Sequence, residues 1–92
     1  MIFPILELET TRNQQIEKMW EEMWEFVKEA EKGNTPEAIG ECLDVIQAAF
    51  GFIEQAYGMN FMEAFVDQHY EKLRSRGWKL RGELVMEIKK LD

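Results

Sequence analysis

The apolar residues in the first third of the chain recur at the spacing of an amphipathic helix. Thr11, with Gln14 three residues later, forms a capping-box pattern, so we predict a first helix from this cap to about Lys32. Its apolar residues recur every three or four positions, as one helix face requires: Ile16, Met19, Trp20, Met23, Trp24, Val27 and Ala30. The two tryptophans on this stripe fit the core, a subunit interface or stacking on a base, and the core is favoured.

Glycine, asparagine and proline mark the start of a second helix. Gly33-Asn34 is typical of a helix end, and Thr35-Pro36 predicts an N-cap followed by a first-turn proline. The second helix is therefore predicted over about Glu37–Tyr57. Its residues are apolar most of the way round, which favours burial.

The remainder of the chain predicts a third helix between two short extended ends. Asn60 and Glu63 form another capping-box pattern, so this helix is predicted over about Phe61–Ser75. Residues 82–91 fit a strand or a short helix. Their β-branched and apolar residues in rough alternation favour a strand, which could pair with the extended Ile5–Glu9 segment.

These elements predict an all-α fold, an antiparallel bundle of three main helices. With 92 residues, we expect a single domain over 1–92. A chain this short buries only about 60–65% of the surface that its unfolded form exposes. Six Met, six Phe and three Trp are many for this length, so part of the apolar surface is expected to be buried between subunits.

Charge and cysteine content narrow the classes of partner. The net charge of −7 disfavours binding to nucleic acid backbones and suits hard cations. The single cysteine, Cys42, excludes an intramolecular disulfide and is interpreted as a small core residue in a reducing, cytoplasmic protein. The first residues lack the basic region of a signal peptide, and no apolar run is long enough for a membrane span.

Two pairs of carboxylates are the main candidates for chemistry. Glu22 and Glu25, preceded by Glu21, lie three residues apart on the first helix, and Glu41 and Asp44 have the same spacing on the second. Such pairs share a helix face. On facing antiparallel helices, all four would surround one small volume, where their repulsion favours a bound cation. Magnesium prefers oxygen ligands, and Mn²⁺ is the alternative.

The two pairs differ in how well a structural explanation fits them. The first helix is acidic along its outer face, so Glu22 and Glu25 also fit an ordinary solvated surface. Glu41 and Asp44 are the only charges between Ala38 and Ile53. Burying unpaired carboxylates costs several kcal/mol, so this pair favours a functional site, with a hydrogen-bonded structural pair as the alternative.

The end of the third helix is basic. Lys72 and Arg76 are four residues apart and share a face, which suits a phosphate chain. Cations near a helix C-terminus also simply complement the helix dipole. His69 lies close to this face and fits either a phosphate contact or a core position.

The order of these motifs resembles the MazG-like members of the all-α nucleoside triphosphate pyrophosphohydrolases. EExxE (Glu21, Glu22 and Glu25), about fifteen residues and then ExxD within Gly40–Gln47 carry the resemblance, together with HxxKLxxRGW at His69–Trp78. It covers roughly residues 14–78.

The resemblance implies magnesium held by Glu22, Glu25, Glu41 and Asp44, and phosphate binding by Lys72 and Arg76. We expect Glu22 or Glu25 to act as the catalytic base, and Glu21 and His69 are further candidate site residues. The implied reaction cleaves a nucleoside triphosphate to a monophosphate and pyrophosphate, in a homodimer or dimer of dimers with a four-helix-type core. The alternatives are a non-catalytic helical dimerisation or regulatory domain, and a nucleotide-binding domain without turnover.

Overall fold

The computed structural model describes residues 1–91, and all regular secondary structure within them is helical. Helix α1 spans Arg12–Glu31, α2 spans Thr35–Ala56 and α3 spans Met62–Ser75, with a 3₁₀ turn at Met59–Phe61. The all-α class with three main helices is confirmed. The fold divides into two compact units, one ending at Tyr57 and the other starting at Gly58.

The strand favoured for residues 82–91 is not found, and neither this segment nor the extended Ile5–Glu9 segment has regular secondary structure in the described chain. A strand is stable only when a neighbouring strand satisfies its backbone N–H and C=O groups. Alternation of apolar residues gives no information about whether such a neighbour exists.

Helix α1 begins at the predicted capping box. The backbone N–H of Thr11 donates to Oε1 of Gln14 at 2.8 Å, and the N–H of Gln14 donates to Oγ1 of Thr11 at 3.2 Å. At the other end, Gly33 adopts a φ of +74°, a conformation that favours glycine, and its N–H donates to the carbonyl oxygen of Ala30. These two contacts fix both ends of α1.

The cap of α2 lies one residue earlier than predicted. Its N-cap is Asn34 rather than Thr35, and Pro36 occupies the first turn. Asn34 makes no side-chain cap hydrogen bond, and its Nδ2 instead donates to Oε2 of Glu29 at 3.1 Å. The asparagine therefore joins the end of α1 to the start of α2.

The capping box predicted from Asn60 and Glu63 is wrong. Helix α3 has Phe61 as its N-cap and no side-chain cap hydrogen bond. The chain enters α3 through the 3₁₀ turn, which follows Gly58 at a φ of +81°, so the backbone is already helical where the cap was expected. Within this second unit, Met59 and Met62 are buried.

In the first unit, α1 and α2 pack against each other as an antiparallel hairpin joined by a tight turn. Residues 3–8 lie along α2. Nε2 of Gln47 donates to the carbonyl oxygen of Pro4 at 2.8 Å, and the rings of Phe3 and Phe50 meet edge to face at 5.5 Å. The N-terminal segment therefore covers the end of the hairpin that is far from the turn.

The hairpin buries mainly small or polar residues: Gln15, Ala38, Ala48 and Gly51. The prediction that Trp20 and Trp24 lie in the core is wrong for the single chain, because they are 73% and 62% exposed. Cys42 is also exposed, and it lines an apolar hollow of about 250 Å³ near the turn. None of the helices described is long and apolar enough to cross a bilayer.

Candidate metal centre

Three of the four predicted carboxylates converge between α1 and α2. Glu22 on α1 and Glu41 and Asp44 on α2 each place one carboxylate oxygen within 4.8 Å of the other two. The three-residue spacing puts Glu41 and Asp44 on one face of α2, and the antiparallel packing brings Glu22 opposite them. We call these three residues the acidic cluster.

The solvent exposure of the acidic cluster differs from what the sequence predicts, which is a buried pair on α2 and a solvated pair on α1. The side chain of Glu22 is only 13% exposed, Glu41 is half-buried and Asp44 is exposed. The expected burial of α2 is wrong for the single chain, because its apolar residues Ile39, Leu43 and Ile46 are exposed as well. Apolar composition predicts that a helix will be covered, but the covering surface need not come from the same chain.

Lys18 forms an ion pair with the acidic cluster, a contact that was not predicted. Its Nζ is 2.7 Å from Oε1 of Glu22, one turn along α1. The hydrogen bond and the charge of Glu22 raise the pKa of Lys18, and Glu21 and Asp44 raise it further. The lysine therefore supplies positive charge where the carboxylates are closest. The spacing of four residues between a lysine and a glutamate is a local signal that would have indicated this pair.

Electrostatic repulsion is concentrated on Glu41. Partial burial raises the pKa of Glu41, and the nearby carboxylates of Asp44, Glu25 and Glu22 raise it further. A carboxyl group in such surroundings gains a proton more readily than one in water. A divalent cation would relieve the same repulsion while leaving Glu41 ionised.

Glu25 and Glu21 lie outside the acidic cluster. The carboxylate of Glu25 is exposed and lies 3.7 Å from Nζ of Lys28, yet it is close enough to Glu41 to raise the pKa of that group. Glu21 is exposed, and its charge contributes to the raised pKa of Lys18. The structure therefore gathers three of the four predicted ligands and places the fourth beside them.

The predicted phosphate-binding residues lie on α3, in the second unit. Lys72 and Arg76 are exposed, and Arg76 is the C-cap residue of the helix. His69 is exposed too, so the alternative of a core histidine is wrong. Each of these three side chains is accessible to an anion.

The donor set of the acidic cluster fits a hard divalent cation. Carboxylate oxygens are the protein ligands that magnesium and manganese prefer, and magnesium commonly takes one or two carboxylates, with water and phosphate oxygens as the other ligands. The exposed side of Asp44 leaves room for such additional ligands. Among known proteins, this chain matches no family model, no curated protein and no solved structure.

Proposed function

We propose that this protein is a magnesium-dependent nucleoside triphosphate pyrophosphohydrolase that converts (d)NTP and water to (d)NMP and pyrophosphate. The observation that supports this most is the convergence of the oxygens of Glu22, Glu41 and Asp44 within 4.8 Å between two helices. The order of the acidic and basic motifs, which resembles the MazG-like enzymes, supplies the class of substrate.

Bound magnesium, or manganese in its place, neutralises phosphate charge and makes bound water more acidic. Glu22, Glu41 and Asp44 are the residues that would hold the ion. Glu25 lies beside this set, is exposed and makes only a 3.7 Å contact with Lys28. It is therefore suited to accept a proton from the attacking water, with Glu22 as the alternative base.

The leaving pyrophosphate needs positive charge from the protein. In the proposal, Lys72 and Arg76 bind phosphate oxygens, and both are exposed side chains one turn apart on α3. His69, one turn earlier on α3, is a further candidate for such a contact. The hydrolysis itself joins the water oxygen to the α-phosphorus and breaks the bond from that phosphorus to the bridging oxygen.

We also infer that the hairpin pairs with a second copy of the chain. No large side chain is fully buried in the part of the chain that the structure describes. At about 150–250 Å² per aromatic side chain, the exposed fractions of Trp20 and Trp24 leave roughly 200–340 Å² uncovered, a substantial part of the roughly 800 Å² per partner of a standard interface. A second hairpin would complete a four-helix-type core, in a homodimer or a dimer of dimers.

Turnover with a matched variant tests the enzymatic proposal. The protein is incubated with canonical and modified triphosphates and Mg²⁺, and released pyrophosphate is measured. We expect turnover by the wild type, loss of at least about 100-fold in Asp44→Asn and near-wild-type activity in Asp67→Asn, an exposed aspartate on α3. Absence of turnover with every substrate, or equal activity of both variants, would contradict the proposal.

The exposed apolar residues also favour the alternative of a non-catalytic helical dimer. Thermal unfolding with and without Mg²⁺ distinguishes the two functions. Mg²⁺ bound at a cation site stabilises the folded state by RT ln(1 + [Mg²⁺]/Kd). The Tm of a dimer that binds no cation should not depend on the Mg²⁺ concentration in this way. A nucleotide-binding protein without turnover would be stabilised by Mg²⁺ with nucleotide and release no pyrophosphate.

A further inference from the structure

The ammonium group of Lys18 lies between the acidic cluster and solvent. Its Nζ is 2.7 Å from Oε1 of Glu22, whose side chain is 13% exposed, whereas the side chain of Lys18 is 54% exposed. An ammonium group has three donors, so one hydrogen bond to Glu22 leaves two for another partner. Lys18 is therefore able to contact Glu22 and an anion from solvent at the same time.

The other cations of the first unit lie away from the acidic cluster. Lys28 and Lys32 form ion pairs with glutamates outside the cluster, at 3.7 and 3.4 Å. Arg12 is the first residue of α1, and its guanidinium carbon lies 6.0 Å from the centre of the Phe52 ring. Lys18 is therefore the one cation of this unit that contacts a carboxylate of the acidic cluster.

The first unit repels anions unless positive charge is supplied at the site. Residues 1–57 contain twelve acidic and four basic side chains, a net charge of −8. At the acidic cluster, three carboxylates and one divalent cation would leave a single negative charge, which the ammonium group of Lys18 cancels. A triphosphate that approached the ion without this lysine would meet an excess of negative charge.

Lys18 is within reach of a phosphate that binds the same ion as Glu22. Magnesium lies about 2.1 Å from its ligand oxygens. A nitrogen 2.7 Å from Oε1 of Glu22 is therefore within about 5 Å of an ion that this oxygen binds. The other ligand oxygens surround the ion at the same short distance, so a phosphate oxygen among them can hydrogen-bond to this nitrogen.

Helix stability alone does not account for the pair of Lys18 and Glu22. Lysine and glutamate four residues apart often pair on helix surfaces, where the contribution to stability is small. In this pair the lysine precedes the glutamate, which is the less stabilising of the two orders. The glutamate also belongs to the acidic cluster, so the lysine lies where a metal-bound substrate would need a cation.

We propose that Lys18 binds a phosphate oxygen of the metal-bound nucleoside triphosphate while the ion occupies the acidic cluster. This role rests on the proposed function, because the ion brings the phosphates to the hairpin. The lysine supplies positive charge on the same helix as Glu22, in addition to Lys72 and Arg76 on α3. Lys18 thus opposes the binding of Mg²⁺ alone and favours the binding of Mg²⁺ together with a triphosphate.

Equilibrium binding separates these two effects. Isothermal titration calorimetry measures the affinity for Mg²⁺ alone and then, at saturating Mg²⁺, for inorganic tripolyphosphate and for an α,β-methylene nucleoside triphosphate. We expect Lys18→Met to bind both polyphosphates at least about tenfold more weakly than the wild type, because it lacks a charge-assisted hydrogen bond. The same variant should bind Mg²⁺ alone more tightly. A lysine that only stabilises α1 would not produce effects of opposite sign.

Two further variants serve as controls. Lys32→Met removes the same charge from α1 outside the acidic cluster, and we expect it to bind polyphosphates with nearly wild-type affinity. Lys18→Arg keeps the positive charge and should retain more polyphosphate affinity than Lys18→Met. Lys18→Gln decides the matter if Lys18→Met does not fold.

The outcomes distinguish this role from the proposed function. Wild-type polyphosphate affinity in Lys18→Met, or an equal loss in Lys32→Met, overturns the role of Lys18 and leaves the proposed function intact. A loss of polyphosphate affinity that is matched by an equal loss of Mg²⁺ affinity overturns it too, because the lysine would then support the site without touching the substrate. Absence of polyphosphate binding by the wild type overturns both.

Discussion

Replacing Lys18 with methionine should increase the affinity of the acidic cluster for Mg²⁺. Nζ of Lys18 lies 2.7 Å from Oε1 of Glu22. A cation that binds Glu22 therefore competes with the charge of this lysine. Methionine keeps much of the aliphatic length of the side chain but carries no charge, so Lys18→Met removes the competition while preserving most of the packing.

The size of the effect follows from the geometry of the pair. At 2.7 Å, the Coulomb energy is about 1.5 kcal/mol in water and about 6 kcal/mol at an effective permittivity of 20. The side chain of Lys18 is about half exposed and loses rotamer freedom in the pair, so the net contribution falls to about 0.5–1 kcal/mol. Lys18→Met should therefore lower the Kd for Mg²⁺ about two- to fivefold. Without added metal, loss of the ion pair should lower the Tm by about 2–8 °C.

Isothermal titration calorimetry with Mg²⁺ and metal-free thermal unfolding measure the two effects. Lys32→Met is the matched control, because Lys32 pairs with Glu29 at 3.4 Å, outside the acidic cluster, and the variant has the same net charge. We expect the control to bind Mg²⁺ with nearly wild-type affinity. The reasoning is refuted if Lys18→Met binds Mg²⁺ no more tightly than the wild type, or if Lys32→Met gains as much.

Three further predictions concern pH, packing and assembly. Because the pKa of Glu41 is raised in the folded state, that state binds more protons than the unfolded state near this pKa. Without added metal, the free energy of unfolding should therefore increase as pH falls through the folded pKa toward the ordinary value. Denaturant titrations at several pH values should show that Glu41→Gln lacks this increase. Gly40→Ala should stabilise the protein by about 0.5–1 kcal/mol, whereas Gly51→Ala should gain less because its Cβ displaces Gln15, and urea unfolding would contradict this if both gained equally. The double variant Trp20→Ser, Trp24→Ser should weaken self-association at least about tenfold in analytical ultracentrifugation, and an unchanged dissociation constant would show that the tryptophans lie outside the interface.

The helices were predictable because their signals are local. The capping box of Thr11 and Gln14 involves groups three residues apart, and Gly33 ends α1 through its own backbone conformation. The spacing of Glu41 and Asp44 likewise places them on one face without reference to the rest of the fold. Most of the acidic cluster could therefore be inferred once the two helices were assumed to pack as an antiparallel pair.

The errors occurred where the outcome depends on distant groups. The burial of α2 depends on a covering surface, and residues 82–91 could form a strand only beside another strand. The N-cap of α2 is Asn34 rather than Thr35, and its side chain bonds to Glu29 of the preceding helix instead of capping α2. The burial of Gln15 could not be read from the sequence either, because it is a property of the packed hairpin.

The turn between α1 and α2 has a consequence for how the protein can vary in length. Backbone hydrogen bonds from Asn34 to Glu29 and from Thr35 to Gly33 leave no slack between the helices. Each inserted helical residue rotates the following side chains by about 100°, so a single insertion beyond Glu22 or before Glu41 would point one carboxylate away from the others. Two whole turns added to each helix would restore the alignment. The number of residues between the two acidic motifs is therefore restricted to discrete values that keep the carboxylates on facing sides of the two helices.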